Sequence, residues 1–255
     1  MRLSAAIAAF LTFFLISSDM DAQNKKGYDT MPSIAVLGTG RVGQALGPRF
    51  AQLGFKVTYG SRNPDSETVT NLIAQTGPDA SAMNASEAVQ NSDWVLLAVP
   101  WSAMESLLPQ LGELENKIVI DITNALVFGD DGLMSMAVDT SAGEIIQQAK
   151  PKAKVVKAFN TVGFHVMANP AAAGGPVTVP IASDHSDAKQ AIAEVVTKLG
   201  FEVMDVGPMK HARSLEAMTI LYMVPYLQGK KEDAFEFYLR TGASPKESKG
   251  VRPAE

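Results

Sequence analysis

The glycines of the stretch GTGRVG, residues 38–43, are the first residues whose spacing predicts a chemical role. The run Ser33–Leu37 before them is apolar and rich in Ile and Val, as a buried parallel strand is. At a strand-to-helix junction, Gly38 permits a tight turn, Gly40 lets a pyrophosphate approach the backbone, and Gly43 lets the helix pack closely on the strand. The helix N-terminus attracts the phosphate charge. The pattern predicts a dinucleotide-binding turn, and the alternative is a glycine turn without a ligand. Apolar residues at helical spacing follow the turn, at Val42, Ala45, Leu46 and Phe50.

The end of the next predicted strand indicates which dinucleotide would bind. Gly60, Ser61 and Arg62 stand there, and the first carboxylate is Asp65. Sites for NAD usually place an acidic residue at this strand end, on the ribose hydroxyl groups. A carboxylate would repel a 2′-phosphate, whereas Ser61 can donate a hydrogen bond to it and Arg62 can form a charged fork with it. The pair therefore favours NADP(H), and the alternative is that Arg62 is a solvated loop cation.

Further residues that could act on a bound ring stand at the ends of later predicted strands. Ligands of doubly wound sheets lie beyond the carboxyl ends of the strands, where the strand order reverses. Pro100 and Trp101 could shape a nicotinamide pocket, with main-chain groups near Val99 holding the carboxamide. Trp101 could equally be a core residue at the start of a helix. Asn124 and Asn160 could orient a ring without titrating, or could cap the helices that follow them.

Strands and helices alternate along the sequence in the manner of an α/β fold. We predict a doubly wound (Rossmann-type) parallel sheet, with an NADP-binding domain over residues 33–160 and a small C-terminal α/β extension over residues 161–240 that ends in helices. Further strands are predicted at residues 55–64, 80–83, 93–100, 117–124, 154–159, 176–183 and 201–206. Helices are predicted at residues 67–75, 101–111, 140–149, 187–199, 211–227 and 231–239, with another capped by Asn84 or Ser86. The tail, residues 241–255, is predicted to be disordered.

The composition excludes several classes of protein. The chain has 255 residues, 22 basic against 27 acidic, and a formal net charge of −5. We find no basic cluster for nucleic acid. The absence of cysteine excludes thiol catalysis and disulfides. The three histidines, His165, His185 and His211, lack metal-ligand spacing. We therefore predict no metal site, no nucleic-acid partner and no catalytic acid, base or nucleophile.

The N-terminus differs in character from the rest of the chain. Arg2 precedes an apolar run, Ala5–Ile16, which is too short to span a bilayer and has the length of a signal-peptide core. We predict a signal-like leader over residues 1–22 and a polar linker over residues 23–32, with no further transmembrane span. A functional leader implies a periplasmic or secreted protein. The alternative is a cytoplasmic protein that starts at Met31.

Five stretches carry a resemblance to a known family: GTGRVGQAL, YGSR, AVPW, VVKAFNT and DVGPMKHARSLE. From about Ser33 to Leu227 the sequence resembles the NADP-dependent oxidoreductases that reduce a deazaflavin, coenzyme F420. It is equally similar to the N-terminal oxidoreductase domain of the six-transmembrane metalloreductases. The resemblance implies NADPH contacts at Thr39, Gly40, Arg41, Val42, Ser61 and Arg62, and a nicotinamide-side role for Val99.

Two positions depart from the deazaflavin-reducing enzymes. Those enzymes can carry a further lysine shortly after the Ser-Arg pair, where this chain has Ser66. They can also carry a histidine in the counterpart of KAFNT, where this chain has Asn160. The electron acceptor therefore stays open between a flavin and a deazaflavin.

The leading hypothesis is an NADPH-dependent oxidoreductase that passes hydride to a small-molecule acceptor of flavin or deazaflavin type. One alternative is a small-substrate NADP-dependent dehydrogenase or imine reductase. In many of those enzymes, however, a long helical domain follows the dinucleotide-binding domain. Another is a non-catalytic NADP(H)-binding sensor or partner subunit. The apolar helix His211–Leu227 also suggests a homodimer, or packing of this helix on its own sheet.

Overall fold

The structure is a computed structural model that describes residues 31–227 and 238–240. Its strands are β1 (Ser33–Leu37), β2 (Lys56–Gly60), β3 (Ser81–Met83), β4 (Trp94–Leu97), β5 (Ile118–Asp121), β6 (Leu126–Phe128), β7 (Met134–Met136), β8 (Lys154–Lys157), β9 (Thr178–Ile181) and β10 (Glu202–Asp205). Its α-helices are α1 (Arg41–Gln52), α2 (Glu67–Thr76), α3 (Ala85–Gln90), α4 (Met104–Leu107), α5 (Ala142–Ala149), α6 (Phe164–Ala168), α7 (Ser186–Lys198) and α8 (Ala212–Leu227). Turns of 3₁₀ helix lie at Trp101–Ala103, Leu108–Leu111, Pro170–Ala173 and Met209–His211.

Six parallel strands form the main sheet in the order β3-β2-β1-β4-β5-β8. The chain builds one half outward from β1 to β3, then crosses back and builds the other half from β4. The strand order therefore reverses between β1 and β4, and a crevice for a ligand is expected beyond their carboxyl ends. The predicted doubly wound parallel sheet is confirmed.

Hydrophobic side chains cover both faces of this sheet. Along β1, Ile34 and Val36 belong to one buried cluster, whereas Ala35 and Leu37 belong to the cluster on the opposite face. Because successive side chains of a strand alternate between faces, a strand covered on both sides is apolar throughout. Each large aliphatic side chain buried in this way stabilises the fold by roughly 1.5–3 kcal/mol.

The C-terminal extension carries a separate two-stranded sheet beside β8 and is tied to α1. β9 and β10 pair in parallel, and one antiparallel bridge between Lys157 and Ala182 joins β9 to β8. The Arg49 guanidinium donates hydrogen bonds to the carbonyl oxygens of Met167 at 2.8 Å and of Leu199 at 2.5 Å. These contacts hold the connection between β8 and β10 against the first helix of the dinucleotide half.

Two predictions about local structure were wrong. The predicted helix over residues 101–111 is broken into a 3₁₀ turn, the single turn α4 and a second 3₁₀ turn. Pro109 lies in the second 3₁₀ turn and accounts for the end of α4 there, because it lacks the N–H group that an α-helix needs in its interior. The predicted loop before α5 contains the antiparallel hairpin β6–β7. By contrast, Asn84 caps α3 as predicted, since its Oδ1 accepts a hydrogen bond from the Glu87 N–H at 2.9 Å.

Several predictions lie outside the described residues and stay predictions. They concern the leader 1–22, nearly all of the linker 23–32, most of the helix 231–239 and the tail 241–255. In the part of the chain that is described, no helix has the length and apolar character needed to cross a bilayer. The homodimer through α8 also stays a prediction, and Leu221 and Val224 of this helix are exposed.

Candidate functional site

The glycine turn joins β1 to α1 at the point where the strand order reverses. Gly38 has a φ of +113°, and a Cβ there would overlap the carbonyl oxygen of Ala98 at the end of β4. A Cβ on Gly43 would in turn overlap the carbonyl oxygen of Gly38. Both contacts are with backbone atoms that cannot move aside. The turn geometry and the close helix–strand packing predicted for these two glycines are therefore present.

Gly40 differs from its neighbours because nothing in the described structure requires a glycine there. Its φ of −78° and ψ of −168° suit any residue. A Cβ on Gly40 would have no protein atom within 4 Å, and the residue is exposed at the N-terminus of α1. The bare backbone faces open space beside unpaired helical N–H groups. This is the cradle that the pyrophosphate of a dinucleotide needs, so the residues fit the predicted cofactor.

Ser61 and Arg62 lie beside this cradle because β2 is the neighbour of β1. The Gly38 N–H donates a hydrogen bond to the Gly60 carbonyl oxygen at 3.2 Å, which ties the two loops together. The Ser61 N–H bonds the Met83 carbonyl oxygen at 3.0 Å, and the Ser61 hydroxyl accepts from the Asn63 N–H at 3.1 Å. Arg62 is exposed and has no ion pair or hydrogen bond to any described residue. Its guanidinium is thus available to a phosphate.

Val99, Pro100 and Trp101 follow β4, on the other side of the switch point. Val99 is partly buried, and its Cγ1 lies 3.2 Å from where a Cβ of Gly38 would stand. Pro100 is exposed at the mouth of the crevice. Trp101 begins the 3₁₀ turn and packs partly buried against the core on that face. This packing suits the alternative of a residue at a helix start packed on the core, and the role of Trp101 at a nicotinamide stays a prediction.

Asn124 and Asn160 meet beyond the carboxyl ends of β5 and β8, and neither caps a helix. The Asn160 Nδ2 donates to Asn124 Oδ1 at 3.0 Å and to the Leu215 carbonyl oxygen at 2.9 Å. The Thr219 hydroxyl of α8 also donates to Asn124 Oδ1, at 2.9 Å. Phe159, just before Asn160, has a φ of +62° and is fully buried. Left-handed backbone at a bulky residue is strained, and such strain clusters at functional sites.

The Asn160 Oδ1 is the buried polar atom of this site that lacks a partner among the described residues. Its orientation is fixed, because exchanging Oδ1 and Nδ2 would set an oxygen against two other oxygens. A buried acceptor without a hydrogen bond costs about 1–3 kcal/mol. An N–H donor of a ligand, such as a carboxamide, would remove that penalty.

A buried ion cluster below this site was missed from the sequence. The Lys157 Nζ lies 2.7 Å from Asp121 Oδ2 and 2.6 Å from Glu216 Oε1, and all three side chains are fully buried. It also donates to the Thr123 carbonyl oxygen at 2.6 Å. The excess carboxylate is offset by main-chain donors, because Glu216 Oε2 accepts from the N–H groups of Ala125 and Ala142, each at 3.0 Å.

This cluster fixes the elements that carry the Asn124–Asn160–Thr219 group. Asp121 precedes Asn124 at the end of β5, Lys157 precedes Asn160 at the end of β8, and Glu216 stands one turn before Thr219 on α8. Ala142 is the first residue of α5, whose N-terminal N–H groups favour a carboxylate. The signal in the sequence was a lysine at the end of an apolar strand and a glutamate in an apolar helix.

A partly buried ion pair braces α5 against α8. Arg213 Nε and Nη2 donate to the two carboxylate oxygens of Glu144, at 2.7 and 2.6 Å. This fork holds the pKa of Glu144 below its usual range. It supports the same helix contact that Glu216 makes through Ala142.

The sheet order, the turn at the switch point and the open Gly40 backbone define a dinucleotide-binding protein of the Rossmann type. Residues 33–125 match the family described as NADP oxidoreductase, coenzyme F420-dependent. Over this segment the chain is similar to that family of NADP-dependent oxidoreductases.

Individual relatives show the same similarity. The chain is 29% identical over 203 residues to the F420-dependent NADP reductase of Methanothermobacter thermautotrophicus, covering 74% of this chain and 86% of the relative. It is 29% identical over 190 residues to Metalloreductase STEAP3 of Rattus norvegicus, but spans only 36% of that protein. A crystal structure of a candidate F420-dependent NADP-reductase from Arthrobacter sp. FB24 superposes with a TM-score of 0.74 at 29% identity, covering 83% of this chain and 100% of the other.

Proposed function

We propose that the chain binds NADPH in this crevice and transfers hydride between NADP(H) and a flavin-type or deazaflavin-type ring. The observation that carries the proposal is the open backbone at Gly40. Neither its dihedral angles nor any contact with the described residues calls for a glycine there, whereas a pyrophosphate on the N-terminus of α1 does.

The choice of NADPH over NADH is supported by charge. Arg62 is exposed, is not engaged by the described residues and stands next to Ser61 at the end of β2. A guanidinium binds a 2′-phosphate through paired, charge-assisted hydrogen bonds. With no carboxylate at this strand end, nothing there would repel that phosphate.

The acceptor is proposed from the relatives and from the chemistry of the site. The relative that this chain covers to 86% is named as an F420-dependent NADP reductase, whereas the metalloreductase is covered to only 36%. The larger coverage favours a ring acceptor. When bound, the nicotinamide supplies the hydride. The chain would hold its pyrophosphate at Gly40, its 2′-phosphate at Arg62 and its carboxamide at Asn160 Oδ1.

A two-stage experiment tests this proposal. The full chain is first titrated separately with NADPH and NADH and followed by nicotinamide fluorescence. We expect NADPH to bind at least about tenfold more tightly, or about 1.4 kcal/mol. NADPH oxidation is then assayed with FMN, with a 5-deazaflavin and with a ferric chelate.

The outcomes separate the hypotheses. Turnover with a flavin or deazaflavin would support the proposal. Binding of NADPH without turnover on any acceptor would favour the non-catalytic sensor or partner subunit. Binding of neither dinucleotide would refute the role of the glycine turn.

A further inference from the structure

Helix α6 places an aromatic side chain beside the cradle at Gly40. Arg41, the first residue of α1, has its guanidinium carbon 5.2 Å from the centroid of the Phe164 ring. Phe164 is 40% exposed, so one part of its ring stays open to a ligand. A guanidinium over an aromatic ring is attracted to it, which holds Phe164 at this position.

His165 and Tyr222 meet beside Phe164, over Gly163. The His165 ring stands edge to face with Phe164, at 5.6 Å and 83°. A Cβ on Gly163 would overlap the hydroxyl of Tyr222 and would lie 2.7 Å from His165 Cε1 and 3.0 Å from His165 Nδ1. The φ of Gly163 is −68°, so the glycine is needed for space and not for its backbone conformation. The imidazole of His165 and the phenol of Tyr222 therefore lie close to each other beside Gly163.

Asn124, Asn160 and Thr219 line one side of the crevice, which we call the wall, and Phe164, His165 and Tyr222 extend it. Tyr222 follows Thr219 by three residues on α8, and residues at that spacing lie on the same face of a helix. Thr219 bonds Asn124, and Asn124 bonds Asn160. The wall therefore runs from the carboxyl ends of β5 and β8, past Tyr222, His165 and Phe164, to Arg41 beside the pyrophosphate cradle. A ring placed against a nicotinamide in the crevice would contact this wall.

We propose that Phe164, His165 and Tyr222 form the site of the acceptor ring, and that His165 donates the proton which that ring takes up on reduction. The proposal rests on the proposed function. In the balanced step, the C4–H bond of the dihydronicotinamide breaks and its hydride, with both electrons, forms a new bond at position 5 of the flavin or deazaflavin. The N–H bond of the His165 imidazolium breaks, and its proton goes to N1 of the acceptor. NADPH is oxidised, the acceptor is reduced, and the imidazole regains a proton from water.

The surroundings of His165 suit this role. Its side chain is half-buried, so it can contact both a bound ring and the solvent. Among the described residues of α1 and α8, Arg41, Arg49 and Tyr222 are the charged and titratable groups that lie against α6 or Gly163 just before it. The other charged residues of α8, Arg213 and Glu216, are paired with Glu144 and Lys157. Arg49 is engaged with main-chain carbonyl groups, whereas Arg41 stands at the cradle, where its charge would stabilise an acceptor that has just received hydride.

The test compares His165→Gln with His185→Gln, a matched control whose ring bonds Gln147 outside the crevice. Single-turnover oxidation of NADPH by FMN and by 5-deaza-FMN is measured from pH 5 to 9, with the NADPH dissociation constant measured alongside. We expect His165→Gln to slow the step by about 100-fold near neutral pH and to flatten its decline with rising pH, because a positioned acid typically contributes 10²–10⁴-fold. NADPH affinity should stay within about twofold, and free imidazole should restore part of the rate to His165→Ala. An unchanged rate and pH profile in His165→Gln would overturn the proton-donor role.

A binding measurement distinguishes failure of this inference from failure of the proposed function. FMN is titrated into the chain loaded with NADP⁺ and followed by flavin fluorescence, which requires no turnover. Phe164→Ala should weaken FMN binding at least about tenfold, because it removes the aromatic ring on which the flavin would stack. Unchanged binding in this variant, or no FMN binding by the wild-type chain, would refute the acceptor site. If the wild-type chain binds FMN here but transfers no hydride, the proposed reaction fails while the ring site stands.

Discussion

Replacing Gly40 by valine should abolish NADPH binding and leave the fold intact. A Cβ at this position would have no atom of the described residues within 4 Å, so a side chain there begins in open space. Its backbone would remain in the extended region that β-branched residues favour. The space that the side chain fills is the space that the pyrophosphate needs.

The magnitudes follow from the position of Gly40 as the N-cap of α1. Valine is a poorer N-cap than glycine, and the loss is about 1 kcal/mol or less. In a chain of this size, that lowers the melting temperature by about 2–4 °C. Binding loses much more, because each charge-assisted hydrogen bond to the phosphates contributes about 1.5–3 kcal/mol. Losing two of them raises the dissociation constant by at least about 100-fold, or about 2.7 kcal/mol.

The assay combines thermal unfolding with titration by NADPH, and Gly43→Ala serves as the opposite control. A Cβ on Gly43 would strike the Gly38 carbonyl oxygen, so this variant should lose stability even without a ligand. Gly40→Val should instead unfold close to the wild type and fail to bind. A folded Gly40→Val variant with wild-type NADPH affinity would refute the reasoning about the cradle.

The remaining predictions concern one binding charge and two buried groups. Arg62→Glu should raise the NADPH dissociation constant by at least about 100-fold through repulsion of the 2′-phosphate, and spare NADH, in parallel fluorescence titrations; equal loss for both would show a structural role. Lys157→Met should lower the free energy of unfolding in urea by about 3–5 kcal/mol, because it leaves Asp121 and Glu216 buried without a counter-charge; a loss below 1 kcal/mol would show the cluster to be dispensable. Burial raises the pKa of Tyr59 from 10.0 to about 12, so stability should be full below pH 10 and fall as pH rises from there towards 12. Unfolding curves across that range check this, and Tyr59→Phe should remove the Tyr59 part of the slope.

Most strands of the main sheet and the glycine turn could be predicted, because they depend on residues that are close together in the sequence. The strands of the main sheet are short apolar runs covered on both faces, and such runs are recognisable without knowing their neighbours. Gly38 and Gly43 are read from spacing alone, because the turn and the helix contact depend on residues close in sequence. Ser61 and Arg62 are proposed because ligands lie beyond the carboxyl ends of parallel strands, which requires only that β2 lies beside β1.

The features that the sequence did not predict depend on distant residues. The hairpin β6–β7 has strands of only three residues, too few for an alternating pattern to be visible. Lys157 is paired with Asp121, 36 residues earlier, and with Glu216 on the last described helix. Periodicity reports which residues are buried, but it does not report which buried charge meets which. The unusual backbone of Phe159 has the same origin, because packing from several elements imposes it.

The position of Glu216 bears on how the protein is made. During synthesis the six strands of the main sheet emerge from the ribosome well before Glu216. Until then the ion cluster of Lys157 and Asp121 lacks its third member. The N–H groups of Ala125 and Ala142 lack their hydrogen-bond acceptor, which is the same carboxylate. The nucleotide-binding half should therefore become fully stable only when α8 docks, and a nascent or truncated chain that ends before residue 216 should be open to chaperones and proteases. The docking of α8 would then make cofactor binding depend on translation past residue 216.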